Sequence, residues 1–298
     1  MSRFQFSDTV AVITGSTGGL GRSLAERLLA KGMKIALCDV QEEALSRQNE
    51  QLTSKNQGHV SQHLMDVTDY DNVHQVMEEI HAEHGRIDLV IANAGTGTIA
   101  SVRHMEPAHF DKIIDVNLNG VWRTFKAAIP YVTQTQGHLV GISSMGGFAH
   151  SPLQTAYTSS KAAVWALCNS LRLELRADNV TVSSIHPTFF KTPMMEKVLD
   201  DEAGTLLWNG NEQGLWKMTD HSLVINEIMS SIERRKAFVV IPKASSIVAY
   251  APSVFRSIID RDFKDYQVRQ AERLAHQRDT ENAAEGRSIL DLDYRRKS

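Results

Sequence analysis

Val10-Ala11-Val12-Ile13-Thr14-Gly15-Ser16-Thr17-Gly18-Gly19-Leu20-Gly21 is a short apolar run that enters a glycine-rich turn. Arg22-Ser23-Leu24-Ala25-Glu26-Arg27-Leu28-Leu29 follows, with Leu24, Leu28 and Leu29 at helical spacing. The reading is strand, tight turn, helix. That unit points backbone N–H groups and a helix N-terminus at a pyrophosphate. The glycines are spaced Gly15-x-x-x-Gly19-x-Gly21, which differs from the general Gly-x-Gly-x-x-Gly fingerprint.

Outward from this unit the chain alternates strands and helices. Seven strands are expected at 9–14, 34–39, 59–65, 89–92, 138–143, 181–186 and 237–241, with helices such as 70–84 and 107–133 between them. Parallel strands joined by right-handed helical crossovers make a doubly wound α/β sheet. The alternation is unbroken to about Pro242, so residues 1–242 are expected to be one domain, with 243–298 as a C-terminal helical extension and polar tail. One insertion breaks the pattern. Residues 189–218 carry Phe189, Phe190, Met194, Met195, Leu206, Leu207, Trp208 and Trp216, too apolar for a free linker, and are expected to form a lid with Trp208 or Trp216 near the pocket. Beyond it, 244–259 is apolar and 260–298 is charged and polar; the charged end is expected to lie outside the pocket.

Bulk properties narrow the class. A hydrophobic content of 42% over 298 residues supports a sizeable core, and a net charge of -3 gives no reason for a nucleic-acid surface. Cys38 and Cys168 each sit in an apolar segment and read as buried thiols of a reducing compartment. The twelve histidines show no metal-ligand spacing, so no metal is expected. No signal-length apolar run opens the chain and no stretch of about 20 apolar residues occurs, so a soluble cytoplasmic protein is expected.

The chemistry centres on Tyr157 and Lys161, four residues apart and therefore on one helix face. A phenol with a pKa of about 10 is a poor acid or base at neutral pH, and a neighbouring ammonium lowers that value. Ser144 ends another apolar run thirteen residues before Tyr157. With these residues in place the chain resembles the short-chain dehydrogenases/reductases over roughly residues 8–242. The family's glycine motif reads Thr14-Gly15-x-x-x-Gly19-x-Gly21; its Asn-Ala-Gly falls on Asn93-Ala94-Gly95, its helix asparagine on Asn117, its serine on Ser144 and its Tyr-x-x-x-Lys on Tyr157 and Lys161. Two departures are Pro187-Thr188, where the family has Pro-Gly, and Ala92, where another Asn is usual.

The resemblance implies a Rossmann-type fold, a nicotinamide cofactor and hydride exchange at a carbinol carbon. Tyr157 would be the acid/base, Ser144 would hold the substrate oxygen, and Lys161 would lower the Tyr157 pKa and bind the nicotinamide ribose. Asn117 would hold a relay water through its backbone. Cofactor contacts are expected from Gly15, Thr17, Gly19, Leu20 and Gly21, from Asp66 and Val67 beside the adenine, from Asn93, Ala94 and Gly95, and from Pro187, Phe190 and Thr192. Thr192 is expected to bind the carboxamide, to cap the lid helix, or both. Asp39 ends the second strand about 20 residues after the turn, where a carboxylate accepts from ribose hydroxyls and repels a 2′-phosphate; NAD is therefore favoured over NADP. The expected substrate is an apolar alcohol or carbonyl compound, fatty, aromatic or sterol-like. A reductase of a small polar ketone is the near rival, and an NAD-binding regulatory or scaffold protein without turnover is the reading from another class. A homodimer or homotetramer is expected through the helices at 107–133 and 156–177, and 244–259 could rest on a membrane, cover the pocket or pack as an oligomer contact.

Overall fold

The computed structural model describes residues 3–55, 59–212 and 217–285. Seven parallel strands form one sheet in the order β3-β2-β1-β4-β5-β6-β7. They are β1 (Val10–Thr14), β2 (Lys34–Asp39), β3 (Val60–Leu64), β4 (Leu89–Ala92), β5 (His138–Ile142), β6 (Thr181–Pro187) and β7 (Phe238–Ile241). The order reverses between β1 and β4, and ligands of such sheets bind in the crevice at the carboxyl ends of the strands there.

The helices are α1 (Gly19–Leu29), α2 (Glu42–Lys55), α3 (Tyr70–His84), α4 (Pro107–Ile114), α5 (Gly120–Thr135), α6 (Thr155–Glu174), α7 (Pro193–Asp200), α8 (Glu202–Trp208), α9 (His221–Glu233), α10 (Ser246–Tyr250), α11 (Pro252–Asp262) and α12 (Asp265–Ala284). Alternation within β1 builds two cores. Ala11 and Ile13 face Leu24 and Leu28 of α1 and Ile225 and Ile228 of α9. Val10 and Val12 face the other way, onto Met77 of α3, Phe125 of α5 and Val164 of α6. Burial on both faces explains why β1 and β4 are continuous apolar runs, whereas β3 at the sheet edge reads Val60-Ser61-Gln62-His63-Leu64.

The single helix expected over 107–133 is two helices joined by a π-helical stretch, Asp115–Asn119, which ends where the Gly120 N–H donates to Asp115 O five residues back. One residue is thereby squeezed into the turn that carries Asn117, a device common at functional sites. The expected lid is helical. Thr192 Oγ1 accepts from the Met195 N–H at 3.1 Å and caps α7, so the capping role holds. Leu207 and Trp208 of α8 pack on Ala271 and Ala275 of α12, whose small side chains admit the close approach.

Candidate active site

At the switch point, side chains sew β1 to β4. Thr14 Oγ1 accepts from the N–H groups of Asn93 and Ala94, both at 3.1 Å, and Asn93 Nδ2 donates to Thr14 O at 3.0 Å and Gly15 O at 2.9 Å. The turn needs its glycines. Gly15 has φ +62°, and a Cβ there would stand 2.7 Å from Ala94 Cα; one on Gly21 would stand 2.4 Å from Gly15 O. Asp39 Oδ2 accepts from Thr17 N at 3.0 Å and Thr17 Oγ1 at 2.7 Å, bracing the turn against β2. Gly18 caps α1 with no side chain to occupy the first-turn N–H groups, and the Ser16 hydroxyl is buried without a partner. Above this cradle lies a cavity of about 570 Å³. Every cofactor residue expected from the sequence lines it except Gly21, which packs behind the turn against Gly15. Arg22 points away, to Gln51 Oε1 at 2.5 Å.

Ser144 follows β5, and its Oγ accepts from the Gly146 N–H at 3.0 Å and is hydrogen-bonded to Tyr157. Tyr157 and Lys161 lie one turn apart on α6, as their spacing predicts. Lys161 is buried, donates from Nζ to Ile142 O at 3.0 Å, and stands 5.7 Å from the centre of the Tyr157 ring. Burial pushes the Lys161 ammonium down to about 8. The expected lowering of Tyr157 by Lys161 does not appear. Burial holds the phenol above its ordinary range, and the Ser144 hydrogen bond opposes that only in part. Asn117 is fully buried; its Nδ2 donates to Thr96 O at 2.9 Å and Ser160 Oγ at 3.0 Å, and its Oδ1 accepts from Thr96 N at 2.8 Å. The side chain thus ties the segment after β4 to α6.

A second chamber of about 160 Å³ opens beside the first, and Ser144 and Tyr157 line both. Its apolar wall comes from Met145, Phe189, Phe190 and Met195, with Val248 of α10 and Ile259 of α11. The segment 244–259 therefore covers the pocket. Trp208 does not line either cavity; it is buried where the lid helix α8 meets α12, with Nε1 donating to Ser151 Oγ at 3.1 Å. Trp216 and the Met194 side chain lie outside the described residues. Thr188, the departure from Pro-Gly, is fixed by its N–H to Ile241 O at 2.8 Å and its hydroxyl to that of Thr219 at 2.9 Å.

The expectation that the charged end avoids the pocket is overturned. Arg278, Asp279 and Asn282 of α12 line the large cavity, because α12 folds back onto α8. Residues 286–298 lie outside the described residues. Sequence reading also missed His186. It is fully buried on β6, with Nε2 against Ser184 Oγ at 2.9 Å and Nδ1 facing Ser144 O at 3.4 Å, so it backs the segment that carries Ser144. Burial pushes it down to about 4. A histidine two residues after the adjacent pair Ser183-Ser184 in a strand was the available signal. Among the described residues no cluster of His, Cys, Asp or Glu could hold a metal ion, and no helix is long and apolar enough to cross a membrane.

Comparison with known proteins identifies the family and the fold. The short chain dehydrogenase family profile matches residues 9–203. The chain is 32% identical over 202 residues to a 3-oxoacyl-acyl-carrier-protein reductase of Thermotoga maritima, covering 66% of this chain and 80% of that one. It is 29% identical over 242 residues to the D-beta-hydroxybutyrate dehydrogenase of Rhizobium meliloti, covering 80% and 90%. Among solved structures, a short chain dehydrogenase of Mycobacterium paratuberculosis bound to NAD superposes with a TM-score of 0.70 at 25% identity, covering 80% of this chain and 97% of that one.

Proposed function

The chain belongs to the short chain dehydrogenase family, and on that premise we propose that it interconverts a neutral, largely apolar alcohol and its carbonyl compound, with NAD as the preferred cofactor. The observation that carries the reading is the placing of Ser144 and Tyr157 on the shared wall of two cavities, one floored by the glycine turn and one apolar. The turn fits a dinucleotide. Its glycines let the turn pack tightly on Ala94 and on itself, and the uncapped start of α1 offers N–H groups to a diphosphate. Nicotinamide, when bound, supplies the hydride acceptor or donor.

The residues then divide the proton work. In reduction Tyr157 donates its proton to the substrate oxygen; in oxidation its phenolate takes the hydroxyl proton. Ser144 holds that oxygen, and Lys161 places an ammonium beside the phenolate and the nicotinamide ribose. The Asn117 backbone holds a relay water. Asp39 receives the adenosine ribose hydroxyls and repels a 2′-phosphate.

Two features narrow the substrate. Among the described residues lining the smaller chamber none is charged, so a carboxylate such as a hydroxy acid would lose its hydration without gaining a cation. At about 160 Å³ the chamber falls below the roughly 300–1,000 Å³ of ordinary small-molecule pockets, which favours a compact substrate over a sterol. Gln154, Ser151 and Ser245 in the same wall support a second reading, a small polar ketone. A turnover panel of neutral aliphatic, aromatic and steroid ketones with short keto acids separates these. Keto acids as the best substrates would defeat both readings. NAD binding without turnover on any of the panel would favour a regulatory or scaffold role.

Assembly follows from exposed faces. Trp122 of α5 and Trp165 and Leu173 of α6 are exposed, and burying them against a second copy makes a homodimer, or a tetramer with a further contact. Helices α10 and α11 also expose Ile247, Tyr250 and Val254, the face on which a peripheral membrane contact would form. A chain that stays in the supernatant when sedimented with lipid vesicles would remove that contact.

A further inference from the structure

We propose that α12 is a working wall of the cofactor site, and that the ion pair between Arg278 and Asp201 fastens the lid over the cavity and sets how long the cofactor stays. The proposal rests on the nicotinamide-cofactor reading above. Three distant segments meet at one guanidinium. Arg278 Nη1 pairs with Asp201, in the joint between α7 and α8. Arg278 Nη2 donates to Ile99 O at 2.7 Å, in the segment after β4. The same group is held from its own helix by Asp279 Oδ1, at 2.6 Å from Nη2 and 2.9 Å from Nε. All four residues line the large cavity.

The fastening is built on both sides. Asp201 Oδ1 accepts from the Gly204 N–H at 3.0 Å, so its carboxylate also starts α8. The body of α12 is anchored one turn at a time. Ala271 and Ala275 are buried against α8, and Glu272 accepts from Ser101 Oγ at 2.7 Å and pairs with Arg103 at 3.4 Å. The lid therefore cannot lift from the cavity while Arg278 bridges it to α12 and to the segment at Ile99. Release of a cofactor lodged beneath requires that bridge to break.

Charge offers a competing explanation that the same residues can test. Arg278 is the cation between two aspartates, and a diphosphate adds negative charge to the cavity. If Arg278 acts only through charge, its loss weakens cofactor binding, while loss of Asp201 strengthens it. If it acts as a fastener, loss of either partner frees the lid, and the two changes act in the same direction.

The experiment is stopped-flow displacement of bound NADH, read by nicotinamide fluorescence, on the full chain. Arg278→Gln and Asp201→Asn are each expected to raise the NADH dissociation rate by about tenfold, which corresponds to ~1.4 kcal/mol. The double variant is expected to release no faster than the quicker single variant, because both remove one interaction. Arg278→Lys keeps the charge but cannot reach Asp201 and Ile99 O with one forked group, and it is expected to speed release as well. It serves if Arg278→Gln does not fold. Unchanged release in these variants, or slower release in Asp201→Asn, overturns the proposal. A wild-type chain that binds no NADH defeats the cofactor reading and this proposal with it.

Discussion

Replacing Asp39 by asparagine removes one negative charge from the end of β2 while keeping an oxygen for Thr17. In the native chain Asp39 Oδ2 accepts from Thr17 N and Oγ1, and Oδ1 accepts from Gln41 N at 3.2 Å. The asparagine oxygen can keep the two Thr17 bonds but presents an NH₂ to the Gln41 N–H. A hydrogen bond to a charged acceptor is roughly twice as strong as a neutral one, so the stability loss is expected to be on the order of 1–2 kcal/mol. The effect on cofactor choice is larger. A carboxylate about 5 Å from a 2′-phosphate, at an effective dielectric of about 20, costs about 3 kcal/mol per unit charge, or about two decades of affinity. Asp39→Asn is therefore expected to leave NADH affinity nearly unchanged and tighten NADPH by up to about a hundredfold. Asp39→Ala removes both acceptor oxygens and the three hydrogen bonds they accept, so it is expected to loosen the glycine turn and weaken both cofactors. Dissociation constants for NADH and NADPH, with melting temperatures, read all of this. Equal affinity of the wild type for the two cofactors, or an unchanged ratio in Asp39→Asn, refutes the assignment.

Tyr157→Phe is expected to cut turnover by 10²–10⁴-fold while NADH still binds, since only the proton-transfer oxygen is lost; turnover within about tenfold of wild type defeats the role. Because burial holds the Tyr157 phenol above its ordinary range, reduction is expected to run at neutral pH and fall only at strongly alkaline pH, while oxidation climbs with pH as the phenolate forms. A pH profile with both directions falling above neutrality contradicts that. His186 is held neutral near 4 while the unfolded chain takes a proton near 6.5, so its folded pKa is depressed and stability is lost as pH falls through that window. The loss is about 3 kcal/mol, and His186→Gln is expected to flatten the melting temperature between those pH values; identical slopes remove His186 as a source. Sedimentation at micromolar concentration is expected to show a dimer or larger, and Leu173→Arg to weaken it; a wild-type monomer counts against the α5–α6 face.

The legible parts of this chain are those where backbone geometry restricts residue choice. Gly15 and Gly21 are required by close approach, and Tyr157 and Lys161 lie one helical turn apart, so the glycine turn and the shared helix face of that pair could be read before any fold was known. Most strand positions followed from apolar runs bounded by turns, and all seven agree with the sheet to within a residue at each end. The π-helical turn at Asn117 was not legible, because its residues fit an ordinary helix and only the Gly120 to Asp115 hydrogen bond distinguishes it.

Helix α12 shows where such reading ends and why. Its sequence is polar and amphipathic only weakly, and charge runs of that kind most often form a solvated face. What brings it to the cavity is two alanines, Ala271 and Ala275, that let it settle on α8, and one arginine that finds partners at Asp201 and Ile99, 77 and 179 residues away. Neither alanines in a helix nor an Arg-Asp pair is a signal by itself. Their meaning depends on a surface built by α8 and the segment after β4, and that surface exists only once the sheet has folded. The glycine turn and the Tyr157–Lys161 pair are set by local backbone geometry and one helical turn, whereas Arg278 closes on the cavity only through contacts with segments 77 and 179 residues away.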